Sequence, residues 1–131
     1  MEHQKIRILA VAPYEGLQAL MQKVCEAEFP QIDLTVLVGD WSAGLDAAQK
    51  NFHAGYDVII SRGGTALLLR NQVDLPVIDI PLTAFDILRA QRLTDSLSDR
   101  YAIVGFPNMA QSAAMLNEIL KLNLDIFSYN M

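Results

Sequence analysis

Short apolar runs alternate with amphipathic stretches along the whole chain. The runs are rich in Val, Ile and Leu and are bounded by turn residues, which is typical of buried strands. Between them, apolar residues recur every three or four positions, as on one face of a helix. The pattern predicts strands at 6–13, 32–38, 57–61, 75–81, 101–105 and 124–129, and helices at 17–29, 43–54, 65–72, 84–97 and 110–122.

The predicted strands are almost continuously apolar. This composition suits a parallel sheet that is covered by helices on both faces. Strand–helix–strand connections are right-handed, so the order of elements predicts an α/β fold with a doubly wound, mostly parallel sheet.

The segment Ser61-Arg62-Gly63-Gly64-Thr65-Ala66 joins the third strand to its helix. Two glycines allow a sharp turn and leave backbone N–H groups uncovered. Thr65 is predicted as the helix N-cap, a helix start favours anions, and Arg62 adds a forked cationic donor. The segment therefore fits a small carboxylate or phosphate. A plain tight turn is an equally supported interpretation, because a two-glycine loop is a weak motif.

Ligands of doubly wound sheets bind outside the carboxyl ends of the strands. The loops that follow the strands are expected to share that edge. Trp41 either lines a pocket there or packs over the start of the second helix. The predicted ligand-binding residues are Tyr14, Trp41, Ser61, Arg62, Gly63, Gly64, Thr65, Thr83 and Asn108.

Length, charge and cysteine content narrow the possibilities. The chain has 131 residues, the size of one domain, and its net charge of −5 argues against binding nucleic acid directly. Cys25, the single cysteine, lies on an apolar helical stripe and is expected in the core. His3 and His53 lack metal-ligand spacing, so neither a metal nor another cofactor is expected. With no apolar run near the ~20 residues of a membrane span and no signal-peptide layout, we expect a cytoplasmic protein.

Catalytic patterns are weak. Asp79 and Asp86 can be drawn as an acid–base pair of carboxylates. The simpler interpretation is that Asp79 points outward or caps a neighbouring element, while Asp86 sits in a first helical turn, where negative charge is favourable. The motifs of receiver domains, flavodoxins and dinucleotide-binding folds are missing. Binding without turnover is the predicted activity.

Four segments in combination resemble a known family, the N-terminal sensor domain of the propionate catabolism activator PrpR. They are residues 57–66, 76–80, 85–90 and 102–108. The family belongs to bacterial sigma-54-dependent activators and resembles two-lobed periplasmic binding proteins. The resemblance implies a regulatory sensor, not an enzyme, that binds 2-methylcitrate or another carboxylate. It also implies attached ATPase and helix-turn-helix DNA-binding domains.

The family's sensor is longer than this chain. The resemblance therefore implies a first lobe at 1–83, a crossover helix at 84–100 and the start of a truncated second lobe at 101–131. The last two strands have three possible arrangements: they extend the first sheet, fold back loosely, or pair with a second chain. We expect a homodimer. Two other functions stay open, an organic-acid lyase or isomerase that uses Asp79 or Asp86, and a dimerisation module that binds no acid.

Overall fold

The computed structural model describes residues 4–129, apart from the side chain of Phe52, so residues 1–3, which include His3, and residues 130–131 lie outside the description. Within these residues, six strands alternate with five α-helices, as the sequence pattern predicts. The strands are β1 (Arg7–Ala12), β2 (Asp33–Val38), β3 (Val58–Arg62), β4 (Val77–Ile80), β5 (Tyr101–Gly105) and β6 (Leu124–Ser128). The helices are α1 (Glu15–Glu28), α2 (Ser42–Asn51), α3 (Gly63–Gln72), α4 (Ala84–Thr94) and α5 (Pro107–Leu120), with a short 3-10 helix at Phe52–Ala54.

The described strands form two parallel sheets. The first has the order β2-β1-β3-β4, and the second contains β5 and β6. The predicted α/β class with a parallel sheet is confirmed, whereas the option that the last two strands extend the first sheet is wrong. The chain divides into unit 1 (Met1–Ile80) and unit 2 (Pro81–Met131), and each unit contains one of the sheets.

Strand β1 is the centre of unit 1. Leu9 and Val11 point to the face that carries α2 and α3, where they pack with Ile59. Ala10 and Ala12 point to the opposite face, beneath α1. All five side chains are fully buried. Burial of a Leu, Val or Ile side chain is worth ~1.5–3 kcal/mol, so the residues of this strand contribute strongly to the stability of the unit.

Arg7 ties the amino ends of three strands together. Its backbone N–H donates to Asp57 Oδ2 at 2.8 Å, and its Nε pairs with Asp33 Oδ2 at 3.2 Å. The guanidinium lies 5.0 Å from the centre of the Tyr56 ring and donates to the Gly55 carbonyl. Gly55 has φ +78° and ends the 3-10 helix in the left-handed conformation that the sequence predicts.

Unit 2 packs α4 and α5 on one face of the β5–β6 sheet. Its core contains Ile87 from α4, Ala113 and Leu116 from α5, and Leu124 from β6. Thr83 starts α4 through a capping box with Asp86, so the predicted cap is confirmed. Within residues 4–129, every helix is too short or too polar to span a bilayer.

Candidate ligand-binding site

The first sheet changes winding direction between β1 and β3. Helix α1 connects β1 to β2 and packs on one face, while α2 and α3 pack on the other face. The chain therefore runs from the carboxyl end of β1 to β2 on one side, and β3 lies on the other side of β1. This switch point is where doubly wound sheets hold their ligands.

The two strands part at this point. The paired register of β1 and β3 runs from Ile8 with Val58 to Ala10 with Ile60. One residue further on, the Ser61 hydroxyl donates to the Val11 carbonyl at 2.7 Å. Ser61 is fully buried. Its side chain therefore links the diverging strands from inside the protein, although the sequence analysis placed Ser61 among the ligand-binding residues.

Helix α3 begins directly at the end of β3. Arg62 has extended backbone angles and occupies the N-cap position, and Gly63 is the first helical residue. The prediction that Thr65 caps this helix is wrong. Gly63 adopts φ +62°, a left-handed conformation that glycine enters without penalty, so the chain turns into the helix before it reaches Thr65.

This early start changes the chemistry of the loop. Gly63, Gly64 and Thr65 become the first three helical residues, and N–H groups at these positions have no partner within a helix. The Gly63 N–H donates to Asp79 Oδ1 from β4 at 3.3 Å. Apart from its chain neighbours and the backbone of its own helix, no atom of the described residues lies within 4 Å of the place where a β-carbon on Gly63 would stand. The backbone of the turn is therefore open on that side.

Thr65 connects α3 to the loop that follows β2. It is 1% exposed, and its hydroxyl donates to Asp40 Oδ1 at 3.0 Å while it accepts from the Trp41 N–H at 2.9 Å. Trp41 has φ +54° and stands just before α2. The Thr65 methyl group also presses against Gly44 in α2, where a β-carbon would lie 2.7 Å from it. The hydroxyl and the methyl thus fix the amino ends of α2 and α3 side by side.

Tyr14 stands at the carboxyl end of β1. It occupies the N-cap position of α1 and is 52% exposed. Unit 1 therefore brings Tyr14, Trp41, Arg62, Gly63 and Gly64 to the carboxyl edge of one sheet. The edge combines exposed aromatic surface, a guanidinium and a helix start, which together suit a small anion with an apolar part.

The model of the family described as propionate catabolism activator, PrpR_N, matches residues 29–131, which is most of the chain. This chain belongs to the PrpR_N family. Among curated protein sequences, none matches it significantly.

The PrpR_N chain is also similar in fold to a solved structure, the crystal structure of an NtrC-family transcriptional regulator from Clostridium acetobutylicum. The TM-score is 0.73 at 20% sequence identity, and the alignment covers 98% of this chain and 67% of that chain. The match supports the Rossmann-like α/β architecture described above. The family membership makes the chain a regulatory domain of the kind found in transcriptional activators.

Thr83 and Asn108 of this PrpR_N chain belong to unit 2, where each has local partners. Asp86 Oδ2 accepts from both the N–H and the hydroxyl of Thr83, each at 2.8 Å. Asn108 lies in the first turn of α5, where its Oδ1 accepts from the Met109 N–H at 2.9 Å. These contacts explain both residues as helix-start groups, and their predicted role in ligand binding stays a prediction.

Two carboxylates near the carboxyl edge of the first sheet form hydrogen bonds there, although neither is among the predicted ligand-binding residues. Asp79 accepts from Gly63 at the start of α3, so the interpretation of Asp79 as a cap for a neighbour is confirmed. Asp40 accepts from buried Thr65. The position of Asp79, one residue before the end of β4, is the signal that could have indicated it. Within residues 4–129, no group of three side chains is placed to hold a metal ion.

Unit 2 has a separate groove of about 440 Å³ between α4 and the start of β5. Its lining is mainly apolar, with Leu82, Ala90, Leu97 and Leu124 among the contributors, and it also includes Tyr101 and Arg100. Tyr101 donates to Asp95 Oδ1 at 2.7 Å, and this hydrogen bond raises the pKa of the Tyr101 phenol to about 12. The groove and the carboxyl edge of unit 1 thus differ in chemistry, since the lining of the groove is mainly apolar.

Proposed function

We propose that this chain is the effector-sensing domain of a bacterial sigma-54-dependent transcriptional activator and that it binds a small organic acid without turning it over. The carboxyl edge of unit 1 is the proposed binding site. The effector class is a carboxylate such as 2-methylcitrate. The domain acts in the cytoplasm as a homodimer and controls attached ATPase and helix-turn-helix domains.

The start of α3 is the observation that carries this proposal. Arg62 is the last residue of β3 and Gly63 the first of α3, so an arginine directly precedes the amides of the first helical turn. Charge-assisted hydrogen bonds from an arginine and from backbone N–H groups are strong and suit carboxylate geometry. The open side of Gly63 leaves room for an effector to approach the backbone.

The contact between Asp79 and Gly63 supports the same chemistry. A carboxylate from β4 already accepts from the first amide of α3 at 3.3 Å. A position that accommodates one carboxylate can accommodate another. Because Gly64 and Thr65 are buried, an acid effector would displace Asp79 and bind the Gly63 N–H together with Arg62.

Regulation follows from differential affinity. An effector shifts a regulator between two states only by as much as it binds one state more tightly than the other. Binding at the switch point would hold together three loops, those after β1, β2 and β3. We propose that this ordering changes the surface that the domain presents to the attached ATPase.

A thermal-shift screen of mono-, di- and tricarboxylates against the 131-residue chain tests the proposal. A ligand that binds the folded state raises Tm by mass action. Arg62→Ala should weaken binding by about tenfold or more, because hydrogen bonds to charged groups are worth ~1.5–3 kcal/mol. Arg89→Ala is the matched control, since it removes the same charge from an exposed position on α4.

The outcomes separate the candidate functions. Binding that is lost in Arg62→Ala and retained in Arg89→Ala supports a sensor with its site in unit 1. Equal binding by both variants would remove Arg62 from the site. Incubation of each binder with the protein, followed by mass spectrometry, would reveal turnover, which would favour an enzyme.

A further inference from the structure

Thr65 is a polar side chain that unit 1 buries beside the proposed effector site. It is 1% exposed and belongs to the first turn of α3. Its hydroxyl is both donor and acceptor to the loop that follows β2: it donates to Asp40 Oδ1 at 3.0 Å and accepts from the Trp41 N–H at 2.9 Å. A buried hydroxyl is costly to leave without partners, so the two bonds fix its direction.

The backbone of Trp41 is held in a conformation that bulky residues rarely adopt. Its φ of +54° lies in the left-handed region, where such residues remain only when surrounding contacts hold them. The Trp41 carbonyl accepts from the Leu45 N–H at 3.0 Å, which joins the residue to α2. The bond from the Trp41 N–H to Thr65 holds the same residue from a different helix.

The two branches of the Thr65 side chain have separate contacts. The methyl carbon packs against α2, where a β-carbon on Gly44 would stand 2.7 Å from it. The hydroxyl contacts Asp40 and Trp41 in the loop. Valine keeps the methyl branch at nearly the same shape, whereas serine keeps the hydroxyl. The packing of α2 and the position of the loop can therefore be changed one at a time.

The loop is held next to the groups that the proposed function assigns to the acid. Arg62 is the N-cap of α3 and Thr65 is its third residue, so both belong to one turn, which rises about 5.4 Å. The Trp41 N–H reaches that same turn, and the Trp41 residue is half-buried. An indole ring there offers a large apolar surface, while Arg62 and the Gly63 N–H suit a carboxylate.

We propose that Thr65 is a positioning residue of the effector site. Its hydroxyl holds the Trp41 loop beside the start of α3, and the indole ring contacts the apolar part of the bound acid. The site therefore selects methyl-bearing carboxylates over plain carboxylates of the same charge. This inference rests on the proposed function and adds the residue that sets its selectivity. Thr65 itself does not touch the acid.

Fluorescence tests the link between Thr65 and the loop. Trp41 is the single tryptophan of the chain, so the emission reports this loop alone. Thr65→Val should shift the emission and increase quenching by acrylamide, because loss of a hydrogen bond moves the loop about fivefold towards released conformations. Thr65→Ser should keep the wild-type emission and lower Tm, because the methyl contact is lost.

Thr94→Val is the matched control for the change from threonine to valine. The Thr94 hydroxyl belongs to unit 2 and donates to the carbonyls of Ala90 and Gln91 in its own helix. The emission of Trp41 should not change in this variant.

Asp40→Ala guards against a folding defect in Thr65→Val. Asp40 is exposed, so its substitution should leave the fold intact. It removes the acceptor of the Thr65 hydroxyl, so the emission should move in the same direction as in Thr65→Val, by a smaller amount. Circular dichroism of each variant checks the fold.

Iodide tests whether the indole ring lies at the anion site. Iodide is an anionic quencher and acrylamide a neutral one. At low ionic strength the Arg62 guanidinium raises the local concentration of anions, so Arg62→Ala should lower quenching of Trp41 by iodide and leave quenching by acrylamide unchanged. Arg89→Ala is the control, since it removes the same charge from an exposed position on α4.

Succinate and methylsuccinate test the selectivity, because they carry the same charge and differ by one methyl group. Isothermal titration calorimetry should give a preference of about tenfold for methylsuccinate in the wild-type chain, a typical effect of one such group in an apolar pocket. Thr65→Val should remove most of this preference and leave the affinity for succinate nearly unchanged. Thr65→Ser should retain the preference.

Each unexpected result overturns a different step. An unchanged emission in both Thr65→Val and Asp40→Ala would remove Thr65 as the group that holds the loop. Equal iodide quenching in Arg62→Ala and the wild-type chain would separate Trp41 from the anion site. Equal loss of both acids in Thr65→Val would make Thr65 a structural residue that does not set selectivity. Failure of every carboxylate to bind would contradict the proposed function, whereas the emission and iodide results would still decide the position of Trp41.

Discussion

The two sheets of this chain are built from the same strand–helix–strand repeat, yet they bury their strands differently. In β1, Val11 is fully buried, and helices cover both faces of the strand. In β5, Val104 is 62% exposed, because α4 and α5 lie together on the opposite face. The cause is the direction of the crossovers. In unit 1 the connections run both ways from β1, so helices lie on both faces of the sheet. In unit 2, helix α4 and helix α5, which connects β5 to β6, lie on the same face. A strand's apolar pattern therefore does not reveal whether both of its faces are covered.

The largest difference should come from the same substitution in both strands. Val11→Ala should lower the free energy of unfolding by about 2 kcal/mol, from two lost buried carbons and the cavity that they leave. Val104→Ala should change it by less than about 0.5 kcal/mol at concentrations where the chain is monomeric. Urea titration followed by circular dichroism measures both values. Equal costs would mean that Val104 is buried within a single chain.

Alanine substitutions at two glycines of unit 1 compare a position where a β-carbon would clash with a position where it would fit. Gly44→Ala places a β-carbon 2.6 Å from the Gly39 carbonyl oxygen and 2.7 Å from the Thr65 methyl carbon. This overpacking should cost about 1–3 kcal/mol. Gly16→Ala in α1 is the control, since its nearest contact is the Tyr14 ring at 3.6 Å and alanine favours a helix by about 0.5–1 kcal/mol. Thermal unfolding should show Tm shifts of opposite sign.

Asp79→Asn sharpens the description of the unit 1 edge. The amide is close in size to the carboxylate, but it removes a negative charge that accepts from the Gly63 N–H. We expect acid effectors to bind several-fold more tightly, with a small loss of stability because the helix start loses a favourable charge, worth ~0.3–1 kcal/mol. Isothermal titration calorimetry with the acid found in the thermal-shift screen measures the change. Weaker binding would indicate that Asp79 contacts the effector or shapes its site directly.

The smallest expected effect is the pH dependence that comes from ionisation of the Tyr101 phenol in unit 2. The hydrogen bond to Asp95 raises the phenol pKa from 10.0 to about 12 in the folded protein. A raised folded-state pKa means that the associated stability is complete below the unfolded value of about 10 and is lost as the pH rises through about 12. Ultraviolet titration of tyrosinate should therefore show a late step that is missing in Tyr101→Phe. In Asp95→Asn, that step should move towards pH 10; an unchanged step would exclude Asp95 as its cause.

The local pattern of apolar and polar residues was sufficient to predict the strands and helices. The apolar runs predicted all six strands, and the Thr83 cap and the Gly55 terminus follow from the conformational preferences of those residues. These features depend on neighbours within a few positions, so they can be predicted from the chain in order. The parallel α/β class followed from the alternation of elements.

Prediction failed where the partner lies far away along the chain. Thr65 has the residue type of a cap, but Asp40 and the Trp41 backbone use its hydroxyl, and the helix starts earlier at Gly63. Ser61 also has a distant partner, since its buried hydroxyl donates to the Val11 carbonyl, and its predicted role in ligand binding stays a prediction. A preference for a cap or a turn is worth about 1 kcal/mol, which tertiary contacts readily exceed.

The sequence by itself thus determined the alternation of strands and helices, the glycine-rich turn after β3 and the family to which the chain belongs. Only the tertiary structure decided that Asp79 caps α3, that Thr65 joins two helix starts, and that one face of the β5–β6 sheet is exposed. The physical reason is the range of the interactions. Periodicity and backbone preference act between near neighbours, whereas burial and hydrogen-bond pairing depend on which distant segments the fold brings together.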